Sequence, residues 1–268
     1  MNKLILLLFV LFYCASSAYA QYETGPKLTA LGNNGAAVKD TWSLTSNVAG
    51  ITGTNKATIA IGYTKYLYDG NLNNQNLTAV LPINNYYTGI TIQRYGITEY
   101  NEITAGAGLA KKFGDNLSIG IKANYHQLKI LNYGIATTFS VDVGVIYQID
   151  NQLSIGLYVN NPSKENYNHS NTPTQLPSNI HIGGAYQASD KILIVAAINK
   201  DFIKKIDVGF GLDYQLLNSI SLRGGINIKP FKQYGGIGIN HKKFSLDFAI
   251  ESDQSLGYSP QIAIAYAF

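Results

Sequence analysis

The sequence contains four histidines, the residues best suited to metal binding and to acid–base chemistry near neutral pH. They are His126, His169, His181 and His241. They lie far apart in the sequence, and none belongs to a recognisable metal-ligand motif with a second histidine or cysteine. The sequence therefore predicts no bound metal and no other cofactor.

Common catalytic motifs are also missing. The nearest match to a Gly-x-Ser-x-Gly nucleophile elbow is Gly257-Tyr258-Ser259, which continues with Pro260 and lacks the closing glycine. The glycines from Gly235 to Gly238 lie in strand-like sequence, where they favour barrel curvature or the close approach of another segment rather than a phosphate loop. We expect a protein that is not an enzyme. A hydrolase assembled around His126 or His181 is the alternative that the sequence leaves open.

Composition narrows the class of protein further. Charged residues make up 13% of the 268 residues, which include 26 Gly and 20 Tyr, and the mean hydropathy is close to zero. This mixture favours strands and turns over helices. The net charge of +4 is too small and too scattered for a phosphate-binding surface, so we expect no nucleic-acid partner.

Residues 1–20 have the pattern of a secretory signal peptide. Lys3 precedes an apolar run, and the small residues that follow it end in Ala18-Tyr19-Ala20. The apolar run is too short to cross a bilayer as a helix. We therefore predict export, with Gln21 as the first mature residue. The only cysteine, Cys14, lies in this leader, so the mature chain is expected to form no disulfide.

Apolar and polar residues alternate along residues 54–268, as in 139–147, where every second residue is apolar. A period of two indicates β-strands with one apolar face, and about fourteen such segments occur, each near the length of a tilted membrane strand. The expected strands are 56–68, 75–83, 86–95, 98–112, 116–128, 136–148, 152–160, 178–187, 190–200, 206–216, 219–228, 233–240, 243–252 and 258–268.

The connections and the last strand indicate a membrane barrel. Very short turns alternate with mostly longer polar connections, such as 130–135 and 161–177, which is typical of outer-membrane barrels with periplasmic turns. Residues 261–268 alternate, end on Phe268 and resemble a barrel-targeting strand. We predict an all-β, transmembrane antiparallel β-barrel of about fourteen strands in the outer membrane of a Gram-negative bacterium, surrounded by its lipid. A soluble sandwich is the alternative.

Polar positions of the strands are expected to face the inside of this barrel. Charged residues at such positions would be costly toward lipid; they are Asp142, Asp207, Asp213, Arg223, Asp247 and Glu251. Side chains alone do not fill a barrel of this width, so we expect a plug. Residues 21–53, here called the amino-terminal segment, are the candidate and contain the only tryptophan, Trp42. A mobile periplasmic tail is the alternative for this segment.

Two short motifs carry a family resemblance. An alanine-glycine stretch and an Asp precede Asn47-Val48-Ala49-Gly50, which resembles the Asn-Pro-Ala-Gly motif of the PorV and PorQ outer-membrane proteins, with Val48 in place of Pro. Residues 245–249, followed by Leu256-Gly257, resemble the penultimate strand of that family and its loop. The resemblance implies a component of type IX protein secretion, with secretion-system proteins or secreted cargo as partners. Asn47 and Gly50 of this motif, like Trp42, lie in the segment that is expected to form the plug.

The layout is also similar, more distantly, to the FadL fatty-acid transporters, which share a plugged barrel of this strand count, and to PorP/SprF barrels. The FadL resemblance implies an alternative function, a channel for small hydrophobic solutes. The polar connection 161–177 offers Lys164, Tyr167 and His169 as candidate contacts for a partner. A solvated loop without a function is equally consistent with its composition.

Overall fold

The structure, a computed structural model, describes residues 25–66, 71–167, 174–201, 206–254 and 257–268. Within these residues fourteen strands form a closed barrel, and β8 and β9 form a separate two-stranded pair. The strands are β1 (Thr58–Lys65), β2 (Asn73–Ile83), β3 (Tyr86–Gly96), β4 (Tyr100–Phe113), β5 (Leu117–Ile130), β6 (Gly134–Gln148), β7 (Leu153–Asn160), β8 (Asn166–Tyr167), β9 (Thr174–Gln175), β10 (Asn179–Ser189), β11 (Ile192–Asp201), β12 (Asp207–Leu217), β13 (Ile220–Ile228), β14 (Phe231–His241), β15 (Phe244–Asp253) and β16 (Gly257–Ala267). The predicted leader, residues 1–20, lies outside the described residues.

Every barrel strand pairs antiparallel with two neighbours, and the first strand closes the sheet on the last. The closing register runs from Thr58 opposite Ala267 to Thr64 opposite Gln261. Closure gives the backbone of both terminal strands a partner and removes the open edges that a flat sheet would expose. The predicted all-β barrel is confirmed, and the fourteen predicted strands match the observed ones to within a few residues at each end.

The two faces of the wall differ in residue type. In β1, Ile59, Ile61 and Tyr63 are exposed on the outside, whereas Ala60 and Thr64 are buried on the inside. The same alternation continues around the barrel, so its outer surface is covered by isoleucine, leucine, valine and aromatic side chains. Among the described residues, no helix is both long enough and apolar enough to cross a membrane.

The described part of the amino-terminal segment consists of a short α-helix, α1 (Pro26–Ala30), and two 3-10 helices, η1 (Thr41–Thr45) and η2 (Val48–Gly53). Helix α1 contacts strands β13 to β16, while η1 and η2 contact strands β2 to β6 on the other side of the barrel. Because it contacts opposite walls and is almost entirely buried, this part of the segment lies within the lumen.

Glycines on the inner wall make room for the segment. A Cβ atom at Gly108 would lie 2.6 Å from Cδ1 of Leu44, and one at Gly120 would lie 2.8 Å from the backbone nitrogen of Ala49. At Gly236, within the predicted Gly235–Gly238 cluster, a Cβ would lie 2.5 Å from the Cβ of Ala30. These close approaches explain why the strands carry glycine where the segment contacts them.

Strands β5 and β6 extend further toward each other than the sequence predicted. The expected connection from Ile130 to Ile135 shrinks to residues 131–133, because β5 ends at Ile130 and β6 begins at Gly134. The expected contrast between long and short connections is therefore wrong at this hairpin. Leu128 and Ala136, near the tips of these strands, are buried by Tyr167 and Leu176 from the 161–178 connection, and this packing stabilises the extra strand length.

Candidate functional site in the barrel lumen

Asn47 attaches the amino-terminal segment to the wall. Its Oδ1 accepts a hydrogen bond from the backbone N–H of Ala49 at 3.1 Å and so caps η2. Its Nδ2 lies 2.6 Å from the carbonyl oxygen of Ala36, 3.2 Å from that of Val145 and 3.3 Å from that of Leu157. This fully buried side chain therefore joins two parts of the segment to strands β6 and β7.

Gly50 is required by packing within the segment. A Cβ at this position would lie 2.6 Å from the Cβ of Ser43 and would clash with the carbonyl oxygen of Val38. The carbonyl oxygen of Gly50 also accepts a hydrogen bond from the backbone N–H of Asp40 at 3.1 Å. In this chain the motif Asn47–Gly50 therefore shapes the segment and holds it against the wall.

An ion pair inside the lumen joins α1 to η1. Nζ of Lys27 lies 2.6 Å from Oδ2 of Asp40, whose Oδ1 accepts the backbone N–H of Trp42 at 2.9 Å. The nearby carboxylate of Asp40 raises the pKa of Lys27 despite burial. Burial alone would raise the pKa of Asp40, but Lys27 and the N–H of Trp42 outweigh it and hold that pKa below its usual range. Both groups are therefore charged at neutral pH.

Apolar contacts hold the same segment on two sides. Trp42 is only 2% exposed and packs in a cluster with Leu28, Leu31 and Val195. The second cluster consists of Leu44, Val48, Ile51, Val80, Tyr87 and Ala110. Burial of these side chains against the wall is the main force that keeps the segment in the lumen.

Charged side chains of the inner wall are paired. Nε of Arg223 lies 3.0 Å from Oδ2 of Asp213, and its Nη1 lies 2.5 Å from Oδ1 of Asp247. On strands β14 and β15, Nζ of Lys232 lies 2.6 Å from Oε1 of Glu251. We call Arg223, Asp213 and Asp247 the arginine cluster. Since Asp213, Asp247 and Glu251 each have a cationic partner, the lumen tolerates these buried charges.

A second polar group lies across the lumen on strands β5 and β6. Nζ of Lys122 lies 3.1 Å from Oδ2 of Asp142 and donates to the carbonyl oxygen of Leu44 at 3.1 Å. Nδ2 of Asn124 donates to Oδ2 of Asp142 at 2.8 Å. Lys122 therefore joins η1 to the wall, and Asp142 organises the side chains around it.

The two inward-facing histidines lie on separate strands. His126 on β5 has Nε2 2.8 Å from Oγ of Ser140 and Nδ1 3.1 Å from Oγ1 of Thr104. His181 on β10 has Nδ1 2.6 Å from Oδ1 of Asn199. Across the described ranges, no group of three or more His, Cys, Asp and Glu residues is arranged to hold a metal ion.

A small cavity, which we call the chamber, separates the amino-terminal segment from the 161–178 connection. Its volume of about 10 Å³ is room for about one water molecule. Thr45 of η1 lies at its floor, and Asn161 and Pro177 lie at its roof. The full lining is Thr45, Thr91, Gln93, Thr104, Lys122, Asn124, Ser140, Asp142, Tyr158, Asn160, Asn161 and Pro177.

The roof is built around Asn161. Its Nδ2 lies 3.1 Å from the carbonyl oxygen of Glu165 and 3.3 Å from that of Leu176. This one side-chain amide therefore contacts the chain near the beginning and near the end of the connection. Among the candidate partner contacts, Tyr167 is 4% exposed and points into the barrel mouth, while Lys164 is exposed. His169 lies outside the described residues. The burial of Tyr167 leaves little of its ring available to a partner.

The structure thus separates the charged candidates into groups. Asp213, Arg223 and Asp247 meet in one cluster, and Glu251 pairs with Lys232. The remaining two are apart: Asp142 lines the chamber, and Asp207 accepts the backbone N–H of Lys229 at 2.9 Å near the rim.

Lys122, Asn124 and Asn160 are among the chamber residues that sequence reasoning missed. Lys122 and Asn124 occupy the same inward register of β5 as His126, and Asn160 ends β7, so the alternation itself contained the signal. They were missed because only acidic residues and one arginine were selected from the inward positions.

Comparison with known proteins shows the fold. Neither a protein-family model nor a curated protein sequence matches this chain. Among solved structures, the toluene transporter TbuX of Ralstonia pickettii is 14% identical with a TM-score of 0.71, over 91% of this chain and 98% of its own. The monoaromatic hydrocarbon channel CymD is 12% identical with a TM-score of 0.73, over 94% and 99%.

A FadL homologue of Pseudomonas aeruginosa is 11% identical with a TM-score of 0.66, over 91% of this chain and 98% of its own. The fold of this chain is therefore similar to that of FadL-type outer-membrane barrels. At these identities the likeness shows the fold alone, and the resemblance to PorV and PorQ stays a prediction.

Proposed function

We propose that this protein is an outer-membrane channel for small solutes and that the amino-terminal segment is its plug. The observation that carries this proposal is a closed barrel with an apolar outer surface. Its lumen holds the amino-terminal segment, which is not part of the strand wall. The fold likeness to TbuX and CymD, named as a toluene transporter and a hydrocarbon channel, supports it.

The proposed location follows from the outer surface of the wall. Exposed side chains such as Ile61, Ile90 and Phe139 would be unfavourable in water across so many strands. In a bilayer the same side chains contact lipid, and the closed sheet satisfies its own backbone hydrogen bonds.

The segment is suited to move because the wall does not depend on it. In its described part, residues 25–53, no residue belongs to the β-ladder of the barrel. The ladder closes from β1 to β16 without this segment. Displacing the segment would therefore leave the strand ladder intact and open a lumen wider than side chains can fill.

A reversible disulfide tests the plug. Oγ1 of Thr52 on η2 lies 3.0 Å from Oγ of Ser118 on β5, so Thr52→Cys with Ser118→Cys places two sulfur atoms within bonding reach. Cys14 of the predicted leader is the only native cysteine, so the pair has no competitor in the mature chain. We expect the oxidised variant in liposomes to pass small solutes slowly and reduction to raise the rate several-fold.

The matched controls are the two single-cysteine variants, whose transport should not respond to the reductant. Solute flux that is absent from the wild-type protein, or that is the same before and after reduction of the double variant, would contradict the proposal. Heat-modifiable mobility on a gel confirms that each preparation contains folded barrel.

A second candidate is a component of type IX protein secretion. The resemblance of residues 47–50 and 245–249 to PorV and PorQ favours it, as do the contacts that Tyr167 and Leu176 make with Leu128 and Ala136 of the inner wall. The test is a pull-down from detergent-solubilised membranes of the native bacterium. Recovery of a secretion component favours this candidate, and recovery of none counts against it.

A further inference from the structure

Two asparagines that line the chamber each carry a hydrogen-bond acceptor without a partner among the described residues. Oδ1 of Asn124 and Oδ1 of Asn160 are buried and make no hydrogen bond among the described residues. The two side chains are only 3% and 7% exposed, and both line the chamber. Buried amide oxygens are usually paired. Asn34, Asn76, Asn179 and Asn227 also carry an unpaired Oδ1 among the described residues, but none of them lines the chamber. Two such oxygens on asparagines that line one cavity indicate a site for a hydrogen-bond donor.

The orientation of Asn124 is set by its neighbour. Its Nδ2 donates to Oδ2 of Asp142 at 2.8 Å, and a carboxylate at this position requires a donor. Flipping the amide would place two oxygens against each other. Oδ1 of Asn124 must therefore be the atom that remains without a partner.

The two charged side chains that line the chamber, Lys122 and Asp142, already have partners. Lys122 is paired with Asp142 and donates to Leu44, and Oδ1 of Asp142 accepts the backbone N–H of Asn161 at 3.2 Å. The ion pair leaves no net charge to be matched by a solute. When the amino-terminal segment moves, Lys122 loses the carbonyl oxygen of Leu44 but keeps its partner Asp142. The amide oxygens of Asn124 and Asn160 then remain in need of N–H or O–H donors, and a hydrocarbon supplies none.

We propose that the chamber selects small polar solutes that carry O–H or N–H donors, such as polyols and amino compounds, and that it disfavours hydrocarbons. This inference rests on the proposed channel function and names its substrate class. Asn124 and Asn160 are the residues that accept from the solute. In the described closed state the chamber has a volume of about 10 Å³ and excludes anything larger than about one water molecule, so the solute reaches them when the amino-terminal segment moves.

The experiment measures osmotic swelling of liposomes that contain the full chain. Valine and glycine betaine are isomeric zwitterions that do not cross lipid, but valine has three N–H donors on its ammonium group and glycine betaine has none. We expect valine to enter at least about threefold faster than glycine betaine, the ratio that one net hydrogen bond provides. Xylitol, a neutral solute with five hydroxyl groups, tests O–H donors separately.

The variant Asn160→Leu removes one acceptor at similar size. Because Asn124 remains, it should weaken the preference for valine rather than abolish it, and it should slow xylitol, while Asn160→Ser, which keeps an acceptor oxygen, should retain more of both. The matched control is Asn76→Leu, because Asn76 is also buried in the inner wall but does not line the chamber. Heat-modifiable mobility shows whether each variant has folded.

The outcomes separate the two proposals. Flux of valine and glycine betaine at equal rates, or faster entry of glycine betaine, would overturn the polar selectivity and leave the channel function standing. Flux of none of the three solutes through folded wild-type protein would overturn the channel function itself. A weaker preference in Asn160→Leu, with the full preference kept in Asn76→Leu, supports the inference for N–H donors, and slower xylitol supports it for O–H donors.

Discussion

Two of the buried polar groups in the lumen differ in how completely they are paired. In the arginine cluster, Arg223 contacts Asp213 and Asp247. In the chamber, Lys122 and Asp142 are paired, but Asn124 and Asn160 keep free acceptor oxygens. The arginine cluster pairs all of its charges and joins three strands. The chamber group leaves two oxygen atoms that could still accept a hydrogen bond. The arginine cluster is therefore complete within the protein, and the chamber group is the one for which we propose a ligand.

The largest effect is expected when the arginine cluster is broken. Arg223→Met leaves the carboxylates of Asp213 and Asp247 buried without their cation, which should lower the free energy of unfolding by about 3–5 kcal/mol. The measurement is urea unfolding of the detergent-solubilised barrel, followed by gel mobility. The triple variant that also carries Asp213→Asn and Asp247→Asn should recover most of the loss. Wild-type stability in the single variant would contradict the structural role of the cluster.

An intermediate effect is expected for pH at the amino-terminal segment. The folded state lowers the pKa of Asp40, so its contribution to stability is complete above the ordinary carboxyl pKa of about 3.9 and is lost as pH falls through the lowered value. The folded state raises the pKa of Lys27, so its contribution is complete below about pH 10.4 and is lost as pH rises through the raised value.

Trp42 reports this change directly, because it is the only tryptophan and is 2% exposed. Its emission should shift to the red as the pH falls below about 4 and again at strongly alkaline pH. In Asp40→Asn the emission should be shifted already at neutral pH and respond less to acid. A wild-type emission maximum that stays constant through both ranges would contradict the ion pair as a restraint on the segment.

The smallest effect on stability is expected in the chamber. Asn160→Leu removes a buried acceptor that has no partner among the described residues, so the free energy of unfolding should change by less than about 1 kcal/mol. The same urea titration measures it beside Arg223→Met. A loss as large as that of Arg223→Met would show that Asn160 has a structural role, and the contrast between the two groups would disappear.

Much of the wall could be predicted from sequence because its signal is local. Phe139, Val141 and Val143 alternate with polar or small residues, and each strand repeats this pattern independently of the others. The extra length of β5 and β6 could not be predicted, because it depends on Tyr167 and Leu176 folding back onto Leu128 from a distant connection.

The candidate site was less accessible to sequence reasoning. Charge and alternation selected Asp142 and Arg223, since an isolated charge in an apolar strand stands out. Asn124 and Asn160 did not stand out, because asparagine is common throughout this chain. Their importance depends on an absence of partners, which is a property of the folded lumen.

The sequence by itself determined a sheet with one apolar and one polar face, since the period of two in each strand decides which side chains face lipid. Only the tertiary structure decided what fills the lumen. Leu44 meets Lys122, and Asn47 meets Val145, through contacts between residues far apart in the chain. Such contacts depend on barrel closure, on register and on the room left by glycine at positions such as Gly108, and none of these is encoded within a single strand.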